Sequence, residues 1–141
     1  MLIEELYQII DDDTTIDRMN LVEELSRCPK LFSKYLAMYH EESLKLRRVK
    51  RKYDELYKKR REFYLGTAPE DDYREEANER KILRQDVETI LNADNKLQDQ
   101  KDKLSHQTCI ADMLERTVDY LKWRSKTIDS MIVLIKFESG S

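Results

Sequence analysis

Glycine and proline are nearly absent, with two of each in 141 residues, and Gly66 and Gly140 stand far apart. Phosphate-cradling loops need several residues without a Cβ at close spacing, which argues against a nucleotide-hydrolysing enzyme. Many-turned β structure is equally poorly served by such a composition. The two cysteines, Cys28 and Cys109, are too few and too distant for a disulfide framework or a zinc site, and read as reduced, buried or neutral thiols of an intracellular protein. His40 and His106 have no Cys or His at ligand spacing. Carboxylates such as Asp11, Asp12 and Asp13 at a helix boundary more often cap or repel than hold a cation, so neither a metal nor another cofactor is expected. No nucleophile, base and orienting group recur together, so no catalysis is expected. Met1 to Ile10 carries Glu4 and Glu5 where a secretion signal has bases, so no export is expected. No apolar run approaches the roughly 18 residues that a bilayer span requires, so no crossing of a membrane is expected.

What remains is the composition of long helices. Leu2, Ile3, Leu6, Ile9 and Ile10 recur at helical spacing, and Ile16, Met19, Val22 and Leu25 do so again beyond the three aspartates. Two short helices are implied, the second opened by Thr14 and Asp17 as a capping box. Cys28-Pro29 predicts the start of a long helix, because proline fits a first turn and breaks an interior. From Leu31 to Tyr64 the series Phe32, Tyr35, Tyr39, Glu42, Leu46, Val49, Tyr53, Leu56, Arg60, Phe63 steps by threes and fours, a heptad seam interrupted at Glu42 and Arg60. Gly66-Thr67-Ala68-Pro69 ends it, and the acidic Glu70 to Glu76 reads as a polar linker or lid. A second long helix is expected from near Asn78, with Leu83, Ile90, Leu97, Leu104, Ala111 and Val118 seven apart and Asp94, Lys101 and Thr108 weakening its seam. The resulting expectation is an all-α protein with coiled-coil-like packing, divided at 1–66, 67–77 and 78–141.

Toward the C-terminus Met131-Ile132-Val133-Leu134-Ile135 and Phe137 are apolar around most of a helix. This reads as an assembly surface between copies, built from Leu114, Val118, Leu121, Ile128, Met131, Ile132, Leu134, Ile135 and Phe137. The alternative is a helix wedged into its own chain's core.

Charge is segregated. The first 26 residues carry eight acids against Arg18, whereas residues 45 to 61 carry ten bases against Asp54 and Glu55. Such a basic segment, interleaved with Tyr53, Tyr57, Phe63 and Tyr64, suits single-stranded nucleic acid: the cations neutralise phosphates and the rings stack on bases. Two other readings stay open. The bases pair with the acidic segment or are merely solvated, or they face an anionic membrane surface. Tyr53 and Phe63 also fall on the seam, which makes them core candidates.

The run Leu31 to Leu36, the basic segment Leu56 to Gly66, Leu91-Asn92-Ala93-Asp94, Asp119 to Arg124 and the ending Phe137 to Gly140 resemble, in one order, the UvsY recombination mediator family of T-even-like bacteriophages. That resemblance implies a non-enzymatic factor of homologous recombination, recombination-dependent replication and repair, acting in the cytoplasm of the infected host. It implies three kinds of partner: single-stranded DNA, the phage recombinase and the phage single-strand-binding protein. It also implies a homo-oligomeric ring, a hexamer or heptamer, closed through the C-terminal region. The family's basic motif places DNA contacts at Lys58 and Arg60 first, then at Lys59 and Arg61, with Arg51, Lys52, Arg48, Tyr57 and Tyr64 nearby. The chain departs from the family pattern in being more basic at Lys59 and Arg61 and in its acidic Glu70 to Glu76. The rival reading is a structural coiled-coil adaptor that binds proteins only.

Overall fold

The computed structural model describes residues 1–76 and 83–140, and among these it is helical without strands. Helix α1 spans Ile3–Thr14, α2 Leu21–Leu65, α3 Glu70–Glu75, α4 Val87–Asn92, α5 Asn95–Leu121 and α6 Arg124–Glu138, with a short 3₁₀ turn at Arg84–Asp86. The helix start expected near Asn78 lies outside the described residues.

Two expected boundaries moved. Helix α1 continues through the three aspartates, and the Thr14 hydroxyl bonds back to the Ile10 carbonyl at 2.7 Å instead of capping a following helix. Acids in a last helical turn oppose the helix dipole. Here Asp13 is held by Lys34 Nζ at 2.6 Å and by the Tyr35 hydroxyl at 2.7 Å, which offsets that penalty. Asp17 accepts from the Met19 N–H and the Asn20 amide within the loop, so no second short helix begins there. Helix α2 then opens at Leu21 and runs straight through Pro29. An interior proline costs about 3 kcal/mol. The turns that precede it are kept helical because they carry Leu21, Glu24 and Cys28, all buried.

Helix α2 ends as its glycine predicts. Gly66 has φ +79°, its N–H donates to Phe63 O at 3.2 Å, and the Thr67 N–H donates to Glu62 O at 2.9 Å. These are the two bonds of a Schellman cap, which needs a left-handed residue at this position. The acidic segment beyond it is helical over Glu70–Glu75, the short helix α3.

Compact packing separates the chain into two units, Met1–Leu44 with Thr108–Ser141, and Lys45–Gln107. This differs from the linear division at 66 and 77, because α2 and α5 each contribute part of their length to both units. In the first unit Leu6 of α1, Leu31 and Tyr35 of α2, and Ile110, Leu114, Val118 and Leu121 of α5 form one buried cluster. Their spacings of three, four and seven put each set on one helix face. A second cluster joins Leu21 and Cys28 to Ile128 of α6, with Met131 and Ile132 packed against it. Arg124, fully buried at the start of α6, donates to Thr14 O and to Glu24 Oε2, each at 2.8 Å. In the second unit Val87, Leu91 and Leu97 are buried, and Tyr53, Leu56, Tyr57, Tyr64 and Leu65 pack around them.

The α2 seam is buried or half-buried at all ten positions from Phe32 to Phe63, Glu42 and Arg60 included. The second expected helix is instead broken twice, before Asn95 and before Arg124. Of the cysteines, Cys28 is buried and Cys109 is exposed.

Candidate nucleic-acid interface

The basic segment falls wholly within the second unit. Lys58, Lys59, Arg61, Arg51, Lys52 and Arg48 are exposed, as are Lys45, Arg47 and Lys50. Spacing on the helix sorts them. Arg47, Arg51 and Lys58 step by four and seven and so share one row, and Arg48, Lys52 and Lys59 make a second row by the same rule. Both rows avoid the buried seam. Among the described residues no ion pair engages Lys58, Lys59 or Arg61.

Arg60, placed with Lys58 first among the DNA contacts that the resemblance implies, behaves differently: it is buried and internally paired. Its side chain is 9% exposed, because position 60 lies on the seam. The Nε donates to Asp94 Oδ2 at 2.7 Å, and the terminal nitrogens donate to the two oxygens of Glu76 at 2.8 and 3.2 Å. The guanidinium lies 4.6 Å from the Phe63 ring centroid and 5.1 Å from that of Tyr64. Burial alone would lower its pKa, but hydrogen bonds to Glu76 and Asp94 outweigh burial and push it upward, so the group is a permanent cation.

Asp94 organises the site. Its Oδ1 accepts the Leu97 N–H at 2.9 Å, an N-cap for α5, and its Oδ2 also accepts the Tyr64 hydroxyl at 2.6 Å. Burial works against the carboxylate, yet the bonds from Tyr64, Leu97 and Arg60 hold its pKa below the ordinary aspartate value. Glu76 is likewise held below the ordinary glutamate value, chiefly by its bonds from Arg60.

The tyrosines expected beside the basic row are partly buried and internally bonded. Tyr57 packs against the Val87 cluster and donates its hydroxyl to Glu88. Tyr64 packs against the same cluster and is bound to Asp94. Helical spacing placed their neighbours Tyr53 and Phe63 on the seam, and both rings sit there. The acidic segment is only partly a counter-charge for the bases: Glu76 meets Arg60 and Lys96, whereas Glu70 and Asp71 pair with Arg74 on their own helix.

At the C-terminus the expected assembly residues divide into two groups. Leu114, Val118, Leu121 and Ile128 belong to the interior of a single chain, which takes them out of any surface. Met131 and Ile132 are half-buried. Val133, Leu134, Ile135 and Phe137 are 66%, 56%, 43% and 80% exposed, a group of apolar side chains open to solvent near the end of α6. A wedged helix and an exposed apolar end are thus both present, in succession along α6.

Asp94, Glu76 and Lys96 were not singled out from the sequence as site residues. The sequence Asn92-Ala93-Asp94 carries a legible helix-start signal, but nothing in it pairs Glu76 with residues 16 and 20 positions away.

The family model described as "Recombination, repair and ssDNA binding protein UvsY" matches residues 9–141. The chain belongs to the UvsY family. A crystal structure of the bacteriophage T4 recombination mediator protein UvsY, lattice type II, has the same fold at TM-score 0.87 and 22% identity, covering 99% of this chain and 98% of that one. Lattice types IV and I of the same phage protein match at TM-scores 0.81 and 0.83, also at 22% identity, covering 98% and 95% of this chain and 99% and 98% of theirs. No curated protein matches the sequence. Among the described residues no helix is long and apolar enough to cross a membrane.

Proposed function

We propose that this UvsY-family chain is a non-enzymatic recombination mediator that binds single-stranded DNA and helps a phage recombinase load onto DNA covered by single-strand-binding protein, in the cytoplasm of the infected host. The observation that carries the DNA reading is the pair of exposed basic rows on α2, with Lys58, Lys59 and Arg61 at one end, in a chain whose family is described as single-stranded-DNA-binding. Lys and Arg at this density release counterions from a polyanion, and nothing in the rows is arranged to read bases. One helix grips a strand weakly. Several copies closed into a ring, hexameric or heptameric as the family resemblance implies, make later contacts intramolecular and raise avidity without new chemistry. The exposed apolar end of α6 supports such an assembly, through Leu134, Ile135 and Phe137 with Val133 and coiled-coil-like contacts between copies. A strand wrapped on the assembly is loosened from its covering protein and offered to the recombinase.

The test is binding of the purified chain to a labelled single-stranded oligonucleotide across a salt series, with a matched duplex alongside. Tight binding that favours the single strand is expected, with a log–log salt slope of about −0.7 per phosphate engaged. Replacing Lys58 and Lys59 by Ala should flatten the slope and leave the oligomer intact. Phe137→Ser with Leu134→Ser should give a folded, smaller species that binds DNA poorly and fails to stimulate strand exchange. The adaptor reading, in which partners are proteins only, is favoured by the internal pairing of Arg60 and gains if no strand binds even at low salt.

A further inference from the structure

Arg60 holds its two carboxylates under unlike conditions. The Asp94 side chain, on Nε, is 2% exposed, whereas the Glu76 side chain, on the terminal nitrogens, is 40% exposed. The Lys96 ammonium, itself 66% exposed, lies 3.3 Å from Glu76 Oε2. A carboxylate gripped in a guanidinium fork and touched by an ammonium occupies the position that a phosphate takes, since both anions present two oxygens to the fork. We propose that Glu76 fills a phosphate site: the outer edge of Arg60 and the ammonium of Lys96 take a backbone phosphate of single-stranded DNA, and the strand displaces Glu76 to reach them. This rests on the single-stranded-DNA reading above, and it adds Lys96 as a contact and Glu76 as an internal competitor.

The guanidinium is ready for exchange at that edge. Asp94 is fixed by the Leu97 N–H and the Tyr64 hydroxyl, and the Phe63 and Tyr64 rings flank the Arg60 plane. When Glu76 leaves, Arg60 keeps its orientation, so an arriving phosphate does not bear the cost of ordering a long side chain. The segment that carries the competitor is itself weakly folded. Glu76 directly follows α3, a six-residue helix with no buried residue, far shorter than helices that persist alone. A tether remains when it withdraws, because Tyr73 stacks on Phe63 at 5.1 Å and donates to the Phe63 carbonyl at 2.9 Å.

Charge sets which anion opens the site. Lys59 lines the same cleft of about 200 Å³, but so do Asp72 and Glu75, which repel an isolated anion while α3 is docked. A strand that already engages Lys58, Lys59 and Arg61 presents its next phosphate at high effective concentration, and α3 carries its acids away as it yields. The acidic turn therefore screens for polyanions against single small anions.

The experiment is equilibrium binding of a labelled oligothymidylate across a salt series to the full chain and to Glu76→Gln and Lys96→Ala, with thermal melts of each. Glu76→Gln should bind about two- to fivefold more tightly, the range expected for removing a partly exposed paired competitor. Lys96→Ala should bind more weakly, with the slope reduced by about 0.7. In the wild-type chain, bound oligothymidylate should protect Lys96 from acetylation as read by mass spectrometry. Unchanged or weaker binding by a folded Glu76→Gln, or an unprotected Lys96 with an unchanged Lys96→Ala, overturns the proposal while the DNA reading stands. If Glu76→Gln fails to fold, the Lys96 readouts decide alone. Absence of binding by the wild-type chain overturns the DNA reading itself.

Discussion

Two buried arginines hold the two units, and they are not held alike. Arg124 is fully buried, its acid Glu24 is 7% exposed, and its other acceptor is the Thr14 carbonyl. Arg60 has a buried acid on one edge and a half-exposed one on the other. The first is a clasp that joins the start of α6 to the end of α1 and the first turn of α2 with no face toward water. The second is a clasp with a buried acid on its inner edge and an acid open to exchange, as proposed above, on its outer edge. If Glu76 exchanges as proposed, burial of the partner, more than burial of the arginine, decides whether an ion pair is fixed structure or an exchangeable contact. Such pairs are weak evidence for stability as built, but losing one partner is costly when the other cannot reach water.

Removing the buried acid from each clasp tests that contrast. Glu24→Ala leaves the Arg124 guanidinium without a carboxylate in a dry site, and a loss of about 3–5 kcal/mol is expected in urea unfolding. Adding Arg124→Met to it should recover much of that loss, because an apolar side chain of similar volume has no charge to desolvate. Asp94→Ala should cost less, about 2–3 kcal/mol, although it also removes the α5 cap. Arg60 retains the half-exposed Glu76 on its outer edge, whereas Arg124 retains only the Thr14 carbonyl. Equal losses for Glu24→Ala and Asp94→Ala would erase the distinction.

How much of this was legible in the sequence depends on the range of the interaction. The α2 seam was readable because its signal is periodic and local, and so was its glycine stop. The division of α6 into a wedged base and an exposed apolar end was not, since hydrophobicity alone cannot tell a side chain that meets its own core, like Ile128, from one that does not, like Phe137. Pro29 misled for a related reason: propensity favours a helix start there, and tertiary packing of Leu21 and Cys28 overrides it. The basic rows were visible as composition, but Arg60 was grouped with them although its own seam position marks it as inward-facing. Asp94 read as a defect in a continuous helix when it is the cap that starts a new one.

The smallest expected effect concerns acid. Asp94 and Glu76 in the second unit, and Asp13 in the first, all have pKa values below those of free carboxyls. For Asp13 burial opposes ionisation, but the bonds from Lys34 and Tyr35 prevail. A carboxyl whose folded pKa is depressed binds protons more readily in the unfolded chain, so its stabilisation is complete above about pH 5 and fades as pH falls through the ordinary carboxylate range. Asp17 in the first unit is also depressed, but it is exposed and bonded only to Met19 and Asn20 of its own loop, whereas Asp94 and Glu76 both converge on the buried Arg60. Acidification should therefore loosen the second unit first, and amide NMR signals of residues 87–107 should broaden or shift at a higher pH than those of 108–121. Asp94→Asn should bring that transition in the second unit closer to the first and leave the response around Asp13 unchanged. Loss of both units at one pH, in the wild type and in Asp94→Asn alike, would mean that the chain unfolds as a single cooperative body and that the Arg60 site confers no separate acid sensitivity.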